Sequence, residues 1–272
     1  MFYERGLFSC SSFLDLPGVR HGFSSRTGGV SVQPHTASFN LSRGLGDDDA
    51  VVCRNLDIFA QSLTDGTYGG ERTVTVHQIH SAKVRVLTDA NAGEGFSLPC
   101  GEDCDGFVTD QPGIIPIART ADCVPVLLAG LKNDASPVIA AVHAGWKGTV
   151  SGICAAAVEK MLALGCTRES IRAAVGPHIG FCCYEVGEDF IESVAAVRGN
   201  DFALRHIRKN ADMAKAHADL TSMNLEILAD AGIAPECVDV HPACTMCAPD
   251  KYYSHRASGG KRGVMGGGIC IL

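Results

Sequence analysis

Val138-Ile139-Ala140-Ala141-Val142-His143-Ala144-Gly145-Trp146-Lys147-Gly148 carries the strongest structural signal in the chain. A strand with one wet face alternates apolar and polar residues, whereas a strand covered on both faces does not need to. The nearly unbroken apolar run over 138–143 therefore predicts a strand in the middle of a covered sheet. Behind it Val150, Ile153, Ala157, Met161 and Leu164 recur at helical spacing, which predicts a helix over 149–164 with Thr149 as its N-cap.

Short apolar runs punctuated by glycine and polar turn residues continue in both directions. They predict strands over 73–76, 84–87, 106–109, 114–118 and 124–128 upstream, and over 171–175 and 238–241 downstream. A second helix is expected over 219–231, opened by Asp219 and closed by Gly232. No repeat, low-complexity block or long polar linker divides the chain. The expectation is an α/β protein, one domain over residues 1–272, with a mixed central sheet covered by helices.

Composition narrows the class. A chain of 272 residues, 46% hydrophobic and 19% charged, is neither disordered nor a coiled coil. The net charge of −7 argues against a nucleic-acid-binding surface. No apolar run reaches the roughly 18 residues that a membrane-spanning helix needs, so no membrane association is expected. The start, Met1-Phe2-Tyr3-Glu4-Arg5, carries no export signal, and the expected location is the cytoplasm. Cysteine is abundant at 13 residues. An odd count in a long chain without an export signal speaks against a disulfide framework, so most should be reduced, buried thiols behaving as small apolar residues.

Three segments place histidine or cysteine at the ends of expected strands. They are Val76-His77-Gln78-Ile79-His80, Thr120-Ala121-Asp122-Cys123-Val124-Pro125 and Ala141-Val142-His143-Ala144-Gly145-Trp146. Each alone reads as ordinary structure. Together, His80, Cys123 and His143 supply two imidazoles and a thiolate, a ligand set suited to catalytic zinc with one position left open. Gln78 and Asp122 flank the ligands as candidate orienting or substrate contacts. The same residues admit another chemistry, with Cys123 as nucleophile and His143 as general base of a cysteine hydrolase.

Other motifs are weaker. Cys244-Thr245-Met246-Cys247 is a single CxxC with no second cysteine pair in an evident partner position. Gly176-Pro177-His178-Ile179-Gly180 has the look of a shaped loop leaving a strand. Arg26-Thr27-Gly28-Gly29 combines a guanidinium with backbone amides that suit an anion. Gly259-Gly260-Lys261-Arg262-Gly263 reads equally well as a basic surface loop.

The ordered set of motifs resembles the YfiH-like family, known both as polyphenol oxidases or laccase-domain proteins and as purine nucleoside phosphorylases. The resemblance runs along nearly the whole chain. His21-Gly22-Phe23-Ser24-Ser25-Arg26-Thr27-Gly28-Gly29 with Asn40-Leu41 is similar to the opening motif, and the three histidine and cysteine segments to the ligand segments. Gly176–Gly180 with Tyr184-Glu185-Val186-Gly187, and Cys244-Thr245 with Ser254-His255-Arg256, match the central loop and closing region.

This resemblance implies a fold related to a toxin deamidase domain, with zinc held by His80, Cys123 and His143. It further implies phosphorolysis of adenosine, inosine, guanosine and methylthioadenosine, with adenosine deamination beside it. Purine nucleosides and inorganic phosphate are the implied partners. Arg26, Asn40, Gln78, Asp122 and Trp146 are the implied substrate-binding residues. Copper-dependent phenol oxidation is the alternative, and it calls for more clustered histidines than this chain offers. The sequence departs from the family at Lys147, His255 and the Lys261-Arg262-Gly263 stretch, which bears on substrate preference more than on the metal.

Overall fold

A computed structural model describes the chain except residues 1, 6, 11, 12, 14, 15 and 210–214. The apolar run forms the strand Pro137–Ala144, and it lies inside a sheet as its composition demands. It pairs antiparallel with Val124–Leu131 on one side and with Gly106–Thr109 on the other. Beyond these lie Arg172–Val175 and Val238–Val240 at one edge and Val84–Val86 at the other, giving a six-stranded sheet whose two outermost pairings are parallel.

Both faces of this strand are covered, by different kinds of element. Val138, Ala140 and Val142 point into a core shared with Ile153, Ala157 and Met161 of one helix and Met223 and Ile227 of another. Ile139 and Ala141 point the other way, against Ala118, Ile269 and Ile271. Those residues belong to a second six-stranded sheet, built in spatial order from Phe2–Arg5, Leu7–Cys10, Val19–Phe23, Met265–Ile271, Ile115–Thr120 and Thr73–Val74. The mixed α/β architecture is as expected, but the β-structure is not one sheet. Continuous apolarity reports that both faces are buried and says nothing of what buries them.

The eight expected strands all exist within a few residues of their expected bounds. Met265–Ile271 was not legible, because Gly266, Gly267 and Gly268 are poor strand formers. Their bareness is steric. A Cβ on Gly267 would come within 2.8 Å of the Phe23 ring, and one on Gly268 within 2.5 Å of the Phe59 ring. Also outside the sequence reading were the helices Asp49–Leu63, Glu188–Arg198 and Asn200–His206, and a three-stranded sheet of Glu185–Val186, Ala216–Ala218 and Ile207–Arg208.

The helix expected over 149–164 is corrected to two, Trp146–Val150 and Ile153–Ala163. Gly152 breaks it, with a left-handed φ of +82°, and Arg198 Nε donates to the freed Val150 carbonyl at 2.6 Å. Thr149 is therefore inside the first helix and caps nothing; Gly145 is the N-cap. The second expected helix runs Leu220–Asp230. Among the described residues no helix is long and apolar enough to cross a membrane. Among the described residues no disulfide joins any of the cysteines.

The Asp219 carboxylate accepts the Ser222 amide at 3.0 Å and so caps the Leu220–Asp230 helix. Asp219→Ala should lower unfolding free energy by about 1 kcal/mol, read from the denaturant midpoint, with the slope of the transition unchanged.

Candidate metal centre

The antiparallel register of the central hairpin sets Val124 opposite Ala144 and Pro125 opposite His143. Cys123 and His143 are thereby brought to the same end of the sheet. On the other flank Gly106 lies opposite Val142, so Asp105 falls beside His143, whose amide donates to the Asp105 carbonyl at 2.7 Å. Val84 is in turn paired with Gly106, which delivers the loop preceding it, including His80, to the same place. The ligand-capable atoms of His80, Cys123 and His143 lie within 4.8 Å of one another.

Asp105, which the sequence reading passed over, organises the group. Its buried carboxylate accepts from the amides of Ile79, His80 and Ser81 at 3.3, 2.9 and 2.6 Å and from Ser81 Oγ at 2.8 Å. It also accepts a hydrogen bond from Nδ1 of His143 at 2.9 Å, which leaves Nε2 facing the cluster. These bonds hold His80 in a left-handed conformation, φ +59°. Burial would raise the Asp105 pKa, but the His143 and Ser81 hydrogen bonds outweigh it and hold the group at about 2. Nothing periodic marks such a residue in sequence.

Electrostatics suit a cation. Burial pushes the Cys123 thiol up, but His143 and then His80 pull harder and set it near 6. Burial would depress His143, and Cys123 with Asp105 overcomes that and raises it to about 9. Once their protons are displaced, a thiolate and two imidazoles whose rings lie 4.8 Å apart form a donor set for a positive ion. The donor set and its Asp105 support fit zinc. Gly145 keeps the space open: a Cβ there would sit 2.5 Å from His80 Nδ1 and 3.3 Å from Cys123 Sγ.

The cluster forms the floor of a cavity of about 260 Å³ at the seam between the two large sheets. The second sheet contributes the wall through Arg119 and Thr120, joined by Val264 just before its Met265–Ile271 strand, with Gln78, His77 and Arg262 also lining the cavity. Both Arg119 and Arg262 have an Nε without a hydrogen-bond partner among the described residues.

The match to known proteins is then direct. The model of the family described as multi-copper polyphenol oxidoreductase laccase matches residues 20–272. The chain belongs to this family. A relative in Deinococcus radiodurans named purine nucleoside phosphorylase is 34% identical over 91% of the chain and 87% of its own length. One from an unknown prokaryotic organism, named adenosine deaminase RL5, is 32% identical over 87% of the chain and 88% of its own length. The mouse relative named purine nucleoside phosphorylase LACC1 is 31% identical over 92% of the chain, which spans only 55% of that longer protein. Bacillus licheniformis YfiH has the same fold, with a TM-score of 0.87 at 27% identity and coverage of 100% of this chain and 99% of YfiH. These matches agree with the YfiH-like resemblance read from the motifs.

The other residues singled out in this family's motifs lie in varied places. Gln78 lines the cavity, but its side chain exchanges two hydrogen bonds with the Arg119 backbone, 2.8 and 2.9 Å. Asp122 points away from the cavity and accepts from Thr245 Oγ1, Ser254 Oγ and the Arg256 amide at 2.6, 3.1 and 2.7 Å. Asn40 is buried, bonded to Ser42, Asp47 and the Val264 amide. Arg26 is engaged by the carbonyls of Ala37 and Pro249 and lies over the Tyr253 ring, in a neighbouring cavity that shares Arg262. Trp146 packs on Phe190, 4.9 Å between rings.

Asp105→Asn should weaken zinc binding by about 10–100-fold, as expected when the residue orienting a histidine ligand loses its charge. Competition with a chromophoric chelator measures this. Zinc must displace protons from His143 and Cys123, so apparent affinity should fall steadily as pH is lowered from about 9 to about 6. An affinity flat across that window would show that these groups are not the ligands.

Proposed function

We propose that the chain is a zinc-dependent enzyme of purine nucleosides, cleaving adenosine, inosine, guanosine or methylthioadenosine with phosphate to free base and ribose 1-phosphate, and also deaminating adenosine. The observation that carries the reading is the pairing of the His80, Cys123 and His143 group with two under-used guanidinium groups, Arg119 and Arg262, around one cavity. The names of the relatives from Deinococcus radiodurans and of RL5 support the substrate class.

His80, Cys123 and His143 would hold the zinc, which when bound supplies Lewis-acid polarisation of a ligand atom in the cavity. The protein's own contribution is positioning and charge. Asp105 keeps the His143 ring in a single tautomer with Nε2 toward the cavity. Arg262, at the junction of the metal cavity and the cavity lined by Arg26, is placed to hold an anion. Burial lowers its pKa and the charges of Asp122 and Cys123 oppose that, so it stays a cation. This shifts the phosphate-binding role from Arg26, whose donors are spent on carbonyls, to Arg262. His77, exposed at the cavity wall and 3.4 Å from Asp103, is a further imidazole placed to exchange a proton with a departing base.

Cys123, His143 and Asp105 also have the order of a nucleophile, base and orienting acid, which is the observation behind the cysteine-hydrolase reading. His80 distinguishes the two, since a nucleophile and its base need no second imidazole against the thiol. The copper reading gains less. Multicopper oxidation needs further histidine clusters, and among the described residues the other metal-capable group is all cysteine.

With adenosine or inosine, base release should require inorganic phosphate, and Arg262→Ala should raise the KM for phosphate or lower kcat about ten-fold or more. Adenosine deamination, which uses no phosphate, should fall less. Base release at full rate without phosphate would make the enzyme a hydrolase and remove the phosphorylase reading.

A further inference from the structure

We propose that Cys182, Cys183, Cys244 and Cys247 form a second metal site, a tetrathiolate zinc centre that fastens two loops behind the catalytic cavity. The CxxC of residues 244–247 does have a partner pair, and it is the adjacent Cys182-Cys183, more than 60 positions earlier in the chain. All four sulfur atoms lie within 4.8 Å of one another. Cys183 and Cys247 are 3.3 Å apart and Cys182 and Cys247 3.6 Å. Zinc–sulfur bonds of about 2.3 Å in a tetrahedron require sulfurs about 3.8 Å apart, so little movement separates this arrangement from a closed site.

Local structure aims the thiols together. Cys183 and Tyr184 both donate their amides to the Gly180 carbonyl, at 3.0 and 3.1 Å, in a turn that brings two consecutive cysteines to one side. Across from it the Cys244 sulfur accepts the Gly180 amide at 3.2 Å, and the amides of Met246 and Cys247 also point at it. Several N–H groups converging on one sulfur favour a thiolate. The explanation that serves for Cys10, Cys154 and Cys270, a small apolar residue in a core, fails here, because Cys182 and Cys247 are exposed and the other two half-exposed. Four soft thiolates with no fifth donor suit a structural zinc. Binding exchanges thiol protons for the metal and changes no oxidation state.

The site would have a task. Cys244 bridges His178, and Thr245 donates its amide to the His178 carbonyl at 2.9 Å. The Thr245 hydroxyl holds the Asp122 carboxylate at 2.6 Å, and the Ile179 amide holds the Asp122 carbonyl at 2.9 Å. Asp122, at a left-handed φ of +89°, immediately precedes Cys123. A metal joining the 182–183 turn to the 244–247 turn thus fixes the backbone from which the catalytic thiolate projects.

The test is metal content of protein expressed with added zinc, desalted and measured by mass spectrometry. Wild type should carry about two zinc ions per chain. The double variant Cys182→Ser/Cys247→Ser should lose one and keep the other, and Cys123→Ser should lose the complementary one. Should the double variant not fold, cobalt decides: cobalt-loaded Cys123→Ser should keep the intense visible bands and thiolate charge-transfer absorption of a tetrahedral sulfur site. An unchanged zinc content in a folded double variant, a Cys123→Ser protein without that cobalt spectrum, or a disulfide among these four cysteines in freshly prepared reduced protein would each overturn the proposal. None of these outcomes depends on which nucleoside the enzyme uses.

Discussion

A carboxylate in a protein interior must be surrounded by donors, because an unpaired buried charge is too costly to keep. Asp105 meets that demand with three consecutive backbone amides, a serine hydroxyl and the His143 ring. In being satisfied it joins two pieces of chain that would otherwise be independent, the irregular loop carrying His80 and the strand carrying His143. The left-handed backbone at His80 is a conformation that a histidine rarely takes by itself, and it is held here by the bonds on either side of it. Asp105 thus ties His80 and His143 to each other through a single carboxylate.

The two sheets divide the labour. Metal-capable side chains come from the sheet built around Pro137–Ala144 and its adjoining loops, whereas Arg119 and Thr120 come from the opposing one and Val264 from the residue just before its Met265–Ile271 strand. Gln78 stitches the sheets together by imitating a strand pairing with Arg119. The cavity is thus a seam between rigid layers, and groups on either side hold their spacing without relying on a flexible loop.

Several residues with the look of ligand contacts also hold the frame together. Asn40, Asp122 and Arg26 all spend their donors or acceptors on backbone and neighbouring side chains. The segment from Ala243 to Val264 has no regular strand or helix, and it is held in place largely by such bonds to Asp122, Arg26 and Asn40. Polar side chains close to a reactive centre are as often needed to shape the irregular backbone around it as to meet a substrate.

The sequence alone marked the eight expected strands, the helix capped by Asp219 and the His80, Cys123 and His143 group that the fold brings together. Those signals are local: apolar runs, a capping residue ahead of a periodic stretch, and histidine or cysteine at strand ends, all supported by family motifs. It did not reveal the second sheet, because continuous apolarity shows that a strand is covered and not by what. Nor did it reveal Asp105, Arg262 as the under-used cation, or the meeting of Cys182-Cys183 with Cys244 and Cys247. Those depend on which distant segments lie side by side, and only the register of the strands and the stacking of the two sheets decides that.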